Sequence, residues 1–247
     1  MNVRIVGFLP PSVLRFVVIS CGACVVCAAN GAEDNVAAHL KRLYPATQFS
    51  RIEPSPVSGL TQVVMGRTVA YVDPSGRYFL FGRLYDMQAQ QDLTAPLLEG
   101  ASRIAWQALP ITDAIVTTRG AGTRRLAVFT DPDCPYCRAL EKTLGQLDDI
   151  TVYTFLVPVA ALHPEAPAKA AAIWCAPDRA RALEAVLVRN EPLKPAATEC
   201  ATPIARNLAL AARLAVRGTP ALFAGDGRRL DGAADLPALQ AFLTATP

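Results

Sequence analysis

Apolar residues along this chain fall into short runs, bounded by Gly, Pro, Asp and Asn, and into helical stripes between them. Val36, Leu40 and Leu43 share one helical face in a segment ending near Pro45. Pro54 and Pro56 place a loop next. Leu60–Val64, Val69–Val72 and Tyr78–Gly82 have strand character, with Asp73-Pro74-Ser75-Gly76 a turn between the last two. Leu97, Leu98, Ile104 and Leu109 predict a helix over 93–112, with Pro110 near its end. Ile115–Thr117 and Leu126–Phe129 are candidate strands around a turn containing Gly and Arg. Ala139, Leu140, Leu144 and Leu147 then recur at helical spacing, with Glu141 and Lys142 on the opposite face. Thr151–Val157 is rich in β-branched and aromatic residues and predicts a strand. Residues 164–215 are Ala-rich and mostly helical, broken near Pro192 and Pro195, with Pro203 opening the next helix. Gly218–Phe223 enters another strand, Asp226-Gly227 turns it into Arg228–Leu230, and a last helix runs from about Leu236 to Leu243.

The pattern predicts an α/β chain in two parts. Residues 33–92 make a helix and a small antiparallel sheet, joined by a linker helix over 93–112 to a larger α/β unit over 113–247. At about 60 residues the first part buries too little surface alone and calls for a partner, which a self-associating sheet edge would supply.

Residues 1–32 resemble an export leader. Arg4 and Arg15 supply positive charge, the stretch from Phe16 to Ala29 is largely apolar, and Ala28, Ala29, Gly31 and Ala32 are small. Cleavage after Ala32 is expected, with Ala29 the rival site. A retained membrane helix and a lipid anchor on Cys21, in Val18-Ile19-Ser20-Cys21, are the alternatives. Formal charge is +3, and loss of Arg4 and Arg15 leaves 22 basic against 21 acidic residues. That balance argues against a nucleic-acid partner. No Gly-rich phosphate loop of standard form, Ser/His/Asp pattern or fixed-period repeat occurs.

Cysteine placement adds the chemistry. Three of seven cysteines, Cys21, Cys24 and Cys27, leave with the leader, and Cys134, Cys137, Cys175 and Cys200 remain. An even number in an oxidising compartment suggests two bridges: a labile one between Cys134 and Cys137, and a structural one between Cys175 and Cys200. Two buried free thiols are the alternative for the latter pair. Cys134-Pro135-Tyr136-Cys137 sits where the Leu126–Phe129 strand ends and a helix begins. Unpaired N–H groups and the helix dipole there favour a thiolate. Asp131 or Asp133 is a candidate cap, and Pro135 suits the first turn. Half a zinc site has the same spacing, but no second close cysteine pair follows, and His39 and His163 lie in no ligand-like spacing, so no metal is expected. Trp174 is expected in the core.

Strand, dithiol helix, strand, helices, hairpin, helix is the order of a thioredoxin-type domain. Thr219-Pro220 supports it: a cis proline at a strand start would leave backbone groups free to pair with an extended peptide.

Several further segments carry a family resemblance. They are Phe129-Thr130-Asp131 before Cys134-Pro135-Tyr136-Cys137, Ala172-Ile173-Trp174-Cys175-Ala176, Cys200, and Gly218-Thr219-Pro220. Pro54-Ser55-Pro56-Val57-Ser58-Gly59 and Gly82-Arg83-Leu84-Tyr85-Asp86 extend it. Across essentially the whole mature chain, the sequence resembles the periplasmic protein-disulfide isomerases of the DsbC/DsbG type. The resemblance implies a thioredoxin-like catalytic domain with a helical insertion and a small, cystatin-like N-terminal α+β dimerisation domain. It implies a V-shaped homodimer with an apolar cleft for misfolded exported proteins, kept reduced by a membrane thiol reductant of the DsbD type, with no cofactor. Cys134 would attack client disulfides and Cys137 resolve the intermediate, while Thr219, Pro220 and Tyr136 would contact the client. Pro135-Tyr136 is closer to DsbG. Two alternatives follow: a reductase of sulfenylated single cysteines, and a holdase chaperone with an incidental dithiol.

Overall fold

The computed structural model describes residues 36–196 and 199–244. The expected leader over 1–32, with Cys21, Cys24 and Cys27, lies outside the described residues. The chain divides into two compact units. One holds the described residues up to Val63 with Tyr71–Leu80, the other Val64–Ala70 with the residues from Phe81 onward.

Residues 36–43 form a helix, α1, and four strands share a sheet in the order β1-β2-β3-β4: Phe49–Pro54, Thr61–Met65, Thr68–Val72 and Phe79–Phe81. β1 was expected as loop because of Pro54 and Pro56. Its polar sequence and half-buried pattern suit an edge strand, where a proline at the end costs no ladder bond. Between β3 and β4 the Asp73 carboxylate accepts hydrogen bonds from the N–H groups of Ser75, Arg77 and Tyr78 and fixes the turn. Gly76 in that turn has φ +71°, and a Cβ there would lie 3.0 Å from the Leu43 side chain, so glycine lets the turn close on α1. Beyond β4, Tyr85–Asp86 (β5) pairs with Gln91–Asp92 (β6), a two-residue ladder too short to predict.

Helix α2, Ala95–Ser102, is shorter than the helix expected over 93–112. Arg103 is extended and ends it, and two 3₁₀ turns, Trp106–Ala108 and Ile111–Asp113, follow. Trp106 and Leu109 are drawn into the main core, and that burial, rather than helical periodicity, sets the path.

The core is a five-stranded sheet in the order β11-β10-β8-β9-β7. The strands are Ile115–Arg119 (β7), Arg124–Thr130 (β8), Ile150–Leu156 (β9), Ala221–Ala224 (β10) and Arg229–Asp231 (β11). β8 and β9 run parallel and the other pairs antiparallel. Side chains of β8 alternate between faces. Ala127 and Phe129 join Phe155, Phe223, Trp106 and Leu210 on one face, with the Phe129 and Phe155 rings stacked at 4.9 Å. Leu126 and Val128 meet Val152, Leu222, Leu140 and Leu144 on the other. Burying both faces explains why β8 is a continuous apolar run rather than an alternating one.

Helix α3, Pro135–Leu144, follows β8, and α7, Leu236–Thr244, closes the chain. Between β9 and β10 lie α4, Ala166–Trp174, α5, Arg179–Leu187, and α6, Ile204–Arg213, the helices expected over 164–215. Cys175 and Cys200 are joined by a disulfide across 25 residues, tying the end of α4 to the segment before α6. Asp113 anchors α6 itself. Its carboxylate accepts two bonds of 2.7 Å from Arg206, and its carbonyl accepts one from the buried Asn207 amide.

The Arg206 guanidinium holds the Asp113 carboxyl below its usual value, against the opposing effect of burial. A group stabilised in its ionised form contributes fully above its unfolded value and loses that contribution as pH falls through the folded one. Arg206→Ala is expected to destabilise the fold at pH 7, because it removes both guanidinium donors from the Asp113 carboxylate. The difference from wild type should shrink as pH drops below about 3.9. Urea unfolding of both proteins across that range checks it; a gap that stays constant with pH contradicts the ion pair.

Candidate active site

Cys134 is placed by two backbone accidents of the fold. β8 ends at Thr130, and Asp131-Pro132-Asp133 turns the chain into α3, with the Cys134 N–H donating to the Asp131 carbonyl. Cys134 is the N-cap of α3, with Pro135 in the first turn and no side chain capping the helix. Neither Asp131 nor Asp133 is therefore the cap that their position suggested. The start of α3 is thus left without a side-chain cap at Cys134.

The second accident is register. β10 pairs with β8 so that Ala221 stands opposite Phe129. Thr219-Pro220, immediately before β10, therefore lies beside the loop that follows Phe129. The Thr219–Pro220 peptide is cis. The Cys134 thiol donates to the Thr219 carbonyl at 3.3 Å, across 85 residues of sequence. Register alone explains why Cys134 meets Thr219.

Both site cysteines are free thiols, Cys134 5% exposed and Cys137 1% exposed. Cys137, one turn into α3, packs with Leu156, Ile173 and Trp174. Burial pushes its thiol up to about 12, outweighing hydrogen bonds from Thr130 and the Asp131 N–H that favour the thiolate. Tyr136, between the two thiols, is 66% exposed. The Cys175–Cys200 disulfide packs against the cluster that contains Cys134 and Cys137. Trp174 is buried there, with the Arg179 guanidinium 3.8 Å from its ring centre.

A polar network behind Cys134 was not anticipated. Asp131 is fully buried, and its carboxylate accepts from the Asp133 N–H at 2.7 Å and the Val159 N–H at 2.6 Å, with His163 Nδ1 at 3.1 Å. Asp133 in turn accepts from Lys169 at 2.7 Å and Arg138 at 3.3 Å. The one sequence signal was a carboxylate close behind the apolar run Leu126–Phe129; His163, alone in a loop, gave none. Among the described residues no group of three or more His, Cys, Asp or Glu is placed to hold a metal ion.

Comparison with known proteins agrees with this geometry. Residues 111–246 match the thioredoxin-like domain family, and residues 27–95 match the disulfide bond isomerase protein N-terminal domain. The chain is 39% identical over 185 residues to the probable thiol:disulfide interchange protein DsbC of Bordetella pertussis, covering 75% of this chain and 65% of that one. It thus spans just under two thirds of the length of that relative. It is 29% identical to thiol:disulfide interchange protein DsbC of Escherichia coli K12, over 74% of this chain and 76% of that one. The crystal structure of a disulfide interchange protein from Neisseria gonorrhoeae superposes with a TM-score of 0.52 at 37% identity, covering 55% of this chain and 96% of that one.

The difference between the two sulfurs is measurable. At neutral pH a thiol that ionises near 12 is ionised to roughly one part in 10⁵. Iodoacetamide added to the reduced, folded protein at pH 7 should label Cys134 and leave Cys137 unmodified, with Cys137 labelling rising only as pH approaches 12. Peptide mass spectrometry reads both positions; equal labelling at pH 7 would refute the asymmetry.

Proposed function

Because this chain belongs to the thioredoxin-like domain family and its N-terminal part matches the disulfide bond isomerase N-terminal domain, we propose that it isomerises or reduces wrong disulfides in exported proteins, as a protein of the DsbC type. The observation that carries the proposal is the approach of Cys134 to the carbonyl of Thr219, ahead of cis Pro220, at the first turn of α3. Cys134, as thiolate, attacks one sulfur of a client disulfide. The client S–S bond breaks, a Cys134–client bond forms, and the other client sulfur leaves as a thiolate. If a client thiolate then attacks the Cys134-linked sulfur of the client, a new client disulfide forms and Cys134 leaves unchanged, which is isomerisation. If Cys137 attacks Cys134 instead, having given up its proton, the client leaves with two reduced cysteines and the protein carries the Cys134–Cys137 disulfide. A membrane thiol reductant of the DsbD type would restore the dithiol.

The roles follow the chemistry. Cys134 is the nucleophile and Cys137, held protonated by burial, is the resolving thiol that acts after the mixed disulfide forms. Thr219 and Pro220 present backbone groups to an extended client, and Tyr136 offers it an exposed ring. The Cys175–Cys200 disulfide is structural.

The proposed organisation is a leader over 1–32 removed on export to the periplasm, a dimerisation domain over 33–92, a linker over 93–112 and a catalytic domain over 113–247. No helix among the described residues is long and apolar enough to cross a membrane. β4 supports self-association: it lies at one edge of its sheet, and Tyr78, Leu80 and Phe81 at this edge are each more than 60% exposed. A second copy of this chain is the proposed occupant, giving a homodimer.

Cys134→Ser should lower refolding of scrambled ribonuclease at least 100-fold. Cys137→Ser should accumulate protein–client mixed disulfides, visible on non-reducing gels. Activity surviving in a Cys134→Ser, Cys137→Ser double variant would replace exchange by a holdase role, and reduction of a sulfenylated protein without ribonuclease refolding would replace it by the reductase role. For the dimer, Leu80→Asp with Phe81→Asp should halve the mass measured by light scattering while leaving Cys134 alkylation intact. An unchanged dimer would place the interface elsewhere.

A further inference from the structure

Asp131 sits three residues before the attacking sulfur and has no exposed surface. A buried carboxylate is stable only when its lone pairs meet donors. One oxygen takes the Asp133 N–H, which sets the bend leading into Cys134. The other takes the Val159 N–H and faces His163 Nδ1 at 3.1 Å. An ionised carboxylate only accepts, so Nδ1 carries the hydrogen in that contact.

The neighbouring charges are engaged elsewhere. Lys169 binds Asp133 and Glu165, and Arg138 binds Asp133 and the Asn190 amide. Among the described residues His163 is thus the one side chain that donates to Asp131. Its own position is fixed, because the N–H groups of Leu162 and His163 both reach the Val159 carbonyl, and Ala166 at the start of α4 donates to the His163 carbonyl. The turn 159–163 and the 131–134 loop therefore meet at one carboxylate, and the imidazole closes that junction.

We propose that His163 is a positioning residue for disulfide exchange, holding the loop that carries Cys134 through the Asp131 carboxylate. With the imidazole gone, one carboxylate oxygen loses a charge-assisted donor within the fold. The carboxylate then swings toward water, and the Asp133 N–H and the bend before Cys134 lose their fixed partner. Relevance to client turnover rests on the exchange activity proposed above; the reactivity of Cys134 toward an alkylating agent does not.

The test measures the rate of Cys134 alkylation by iodoacetamide in the reduced full chain at pH 7, alongside kcat and KM for scrambled ribonuclease. His163→Ala should slow alkylation roughly five- to tenfold. His163→Phe, which keeps a ring in place without the donor, should behave the same and serves if the alanine variant does not fold. His163→Asn places an amide N–H near the position of Nδ1 and should restore the rate to within about twofold. In client turnover the loss should appear in kcat with KM unchanged. Wild-type alkylation in the Ala or Phe variants, or an Asn variant as slow as Ala, overturns the assignment. If alkylation follows the expected order while wild-type protein fails to refold ribonuclease, the exchange reading falls and the positioning role stands.

Discussion

The pairing of β10 with β8 is the constraint on which the site depends. With Ala221 opposite Phe129, the residues that follow Phe129 and those that precede Ala221 are brought to the same end of the sheet. A slip of one residue would turn Phe223 and Phe129 away from the shared aromatic core, where their rings meet edge to face at 5.6 Å. The large buried side chains that stabilise the sheet are thus the same ones that hold Thr219 against Cys134. Stability and function share one register.

Burial then separates two chemically identical groups. Cys134 stands at the N-cap position of α3, where its thiol donates to the Thr219 carbonyl. Cys137 lies one turn deeper, among Leu156, Ile173 and Trp174, where a thiolate loses most of its solvation. The proposed exchange reaction uses this inequality: one sulfur that starts, and one that stays protonated until a mixed disulfide exists. The helical insertion contributes the walls of the deeper position, since Ile173 and Trp174 belong to α4, and the Cys175–Cys200 disulfide braces that helix from its end. An insertion placed between β9 and β10 is therefore part of the site's environment, not an appendage.

Much of this was legible because the signals were local. The apolar run of β8, the two cysteines and the helical stripe through Leu140 and Leu144 all fall within twenty-odd residues, and each obeys its own period. Thr219-Pro220 was legible only in combination with the dithiol, since the dipeptide alone is common in loops. What escaped had non-local causes. β1 carries a polar sequence and exists because β2 offers it an edge. The segment after α2 leaves its helical period because Trp106 and Leu109 gain more from the sheet's core than from a continuous helix. Asp131 resembled a cap because acidic residues commonly precede helices. Its carboxylate instead reaches Val159 and His163, contacts 28 and 32 residues away that no sequence window contains.

That misassignment shows how the polar and apolar parts of the site divide their work. An N-cap carboxylate would have spent its lone pairs on α3 and left the preceding loop to the solvent. Here the helix start is left without a side-chain cap, while the Asp131 carboxylate is fully buried and accepts from the loop's own Asp133 N–H. Burying it has a cost in solvation, which is offset only because two backbone donors and an imidazole converge on it. Asp133, two residues further along the same loop, is paired with Lys169 and Arg138, so its carboxylate too has its donors. The uncapped helix start in front of the loop and the satisfied carboxylate behind it both follow from where Asp131 points.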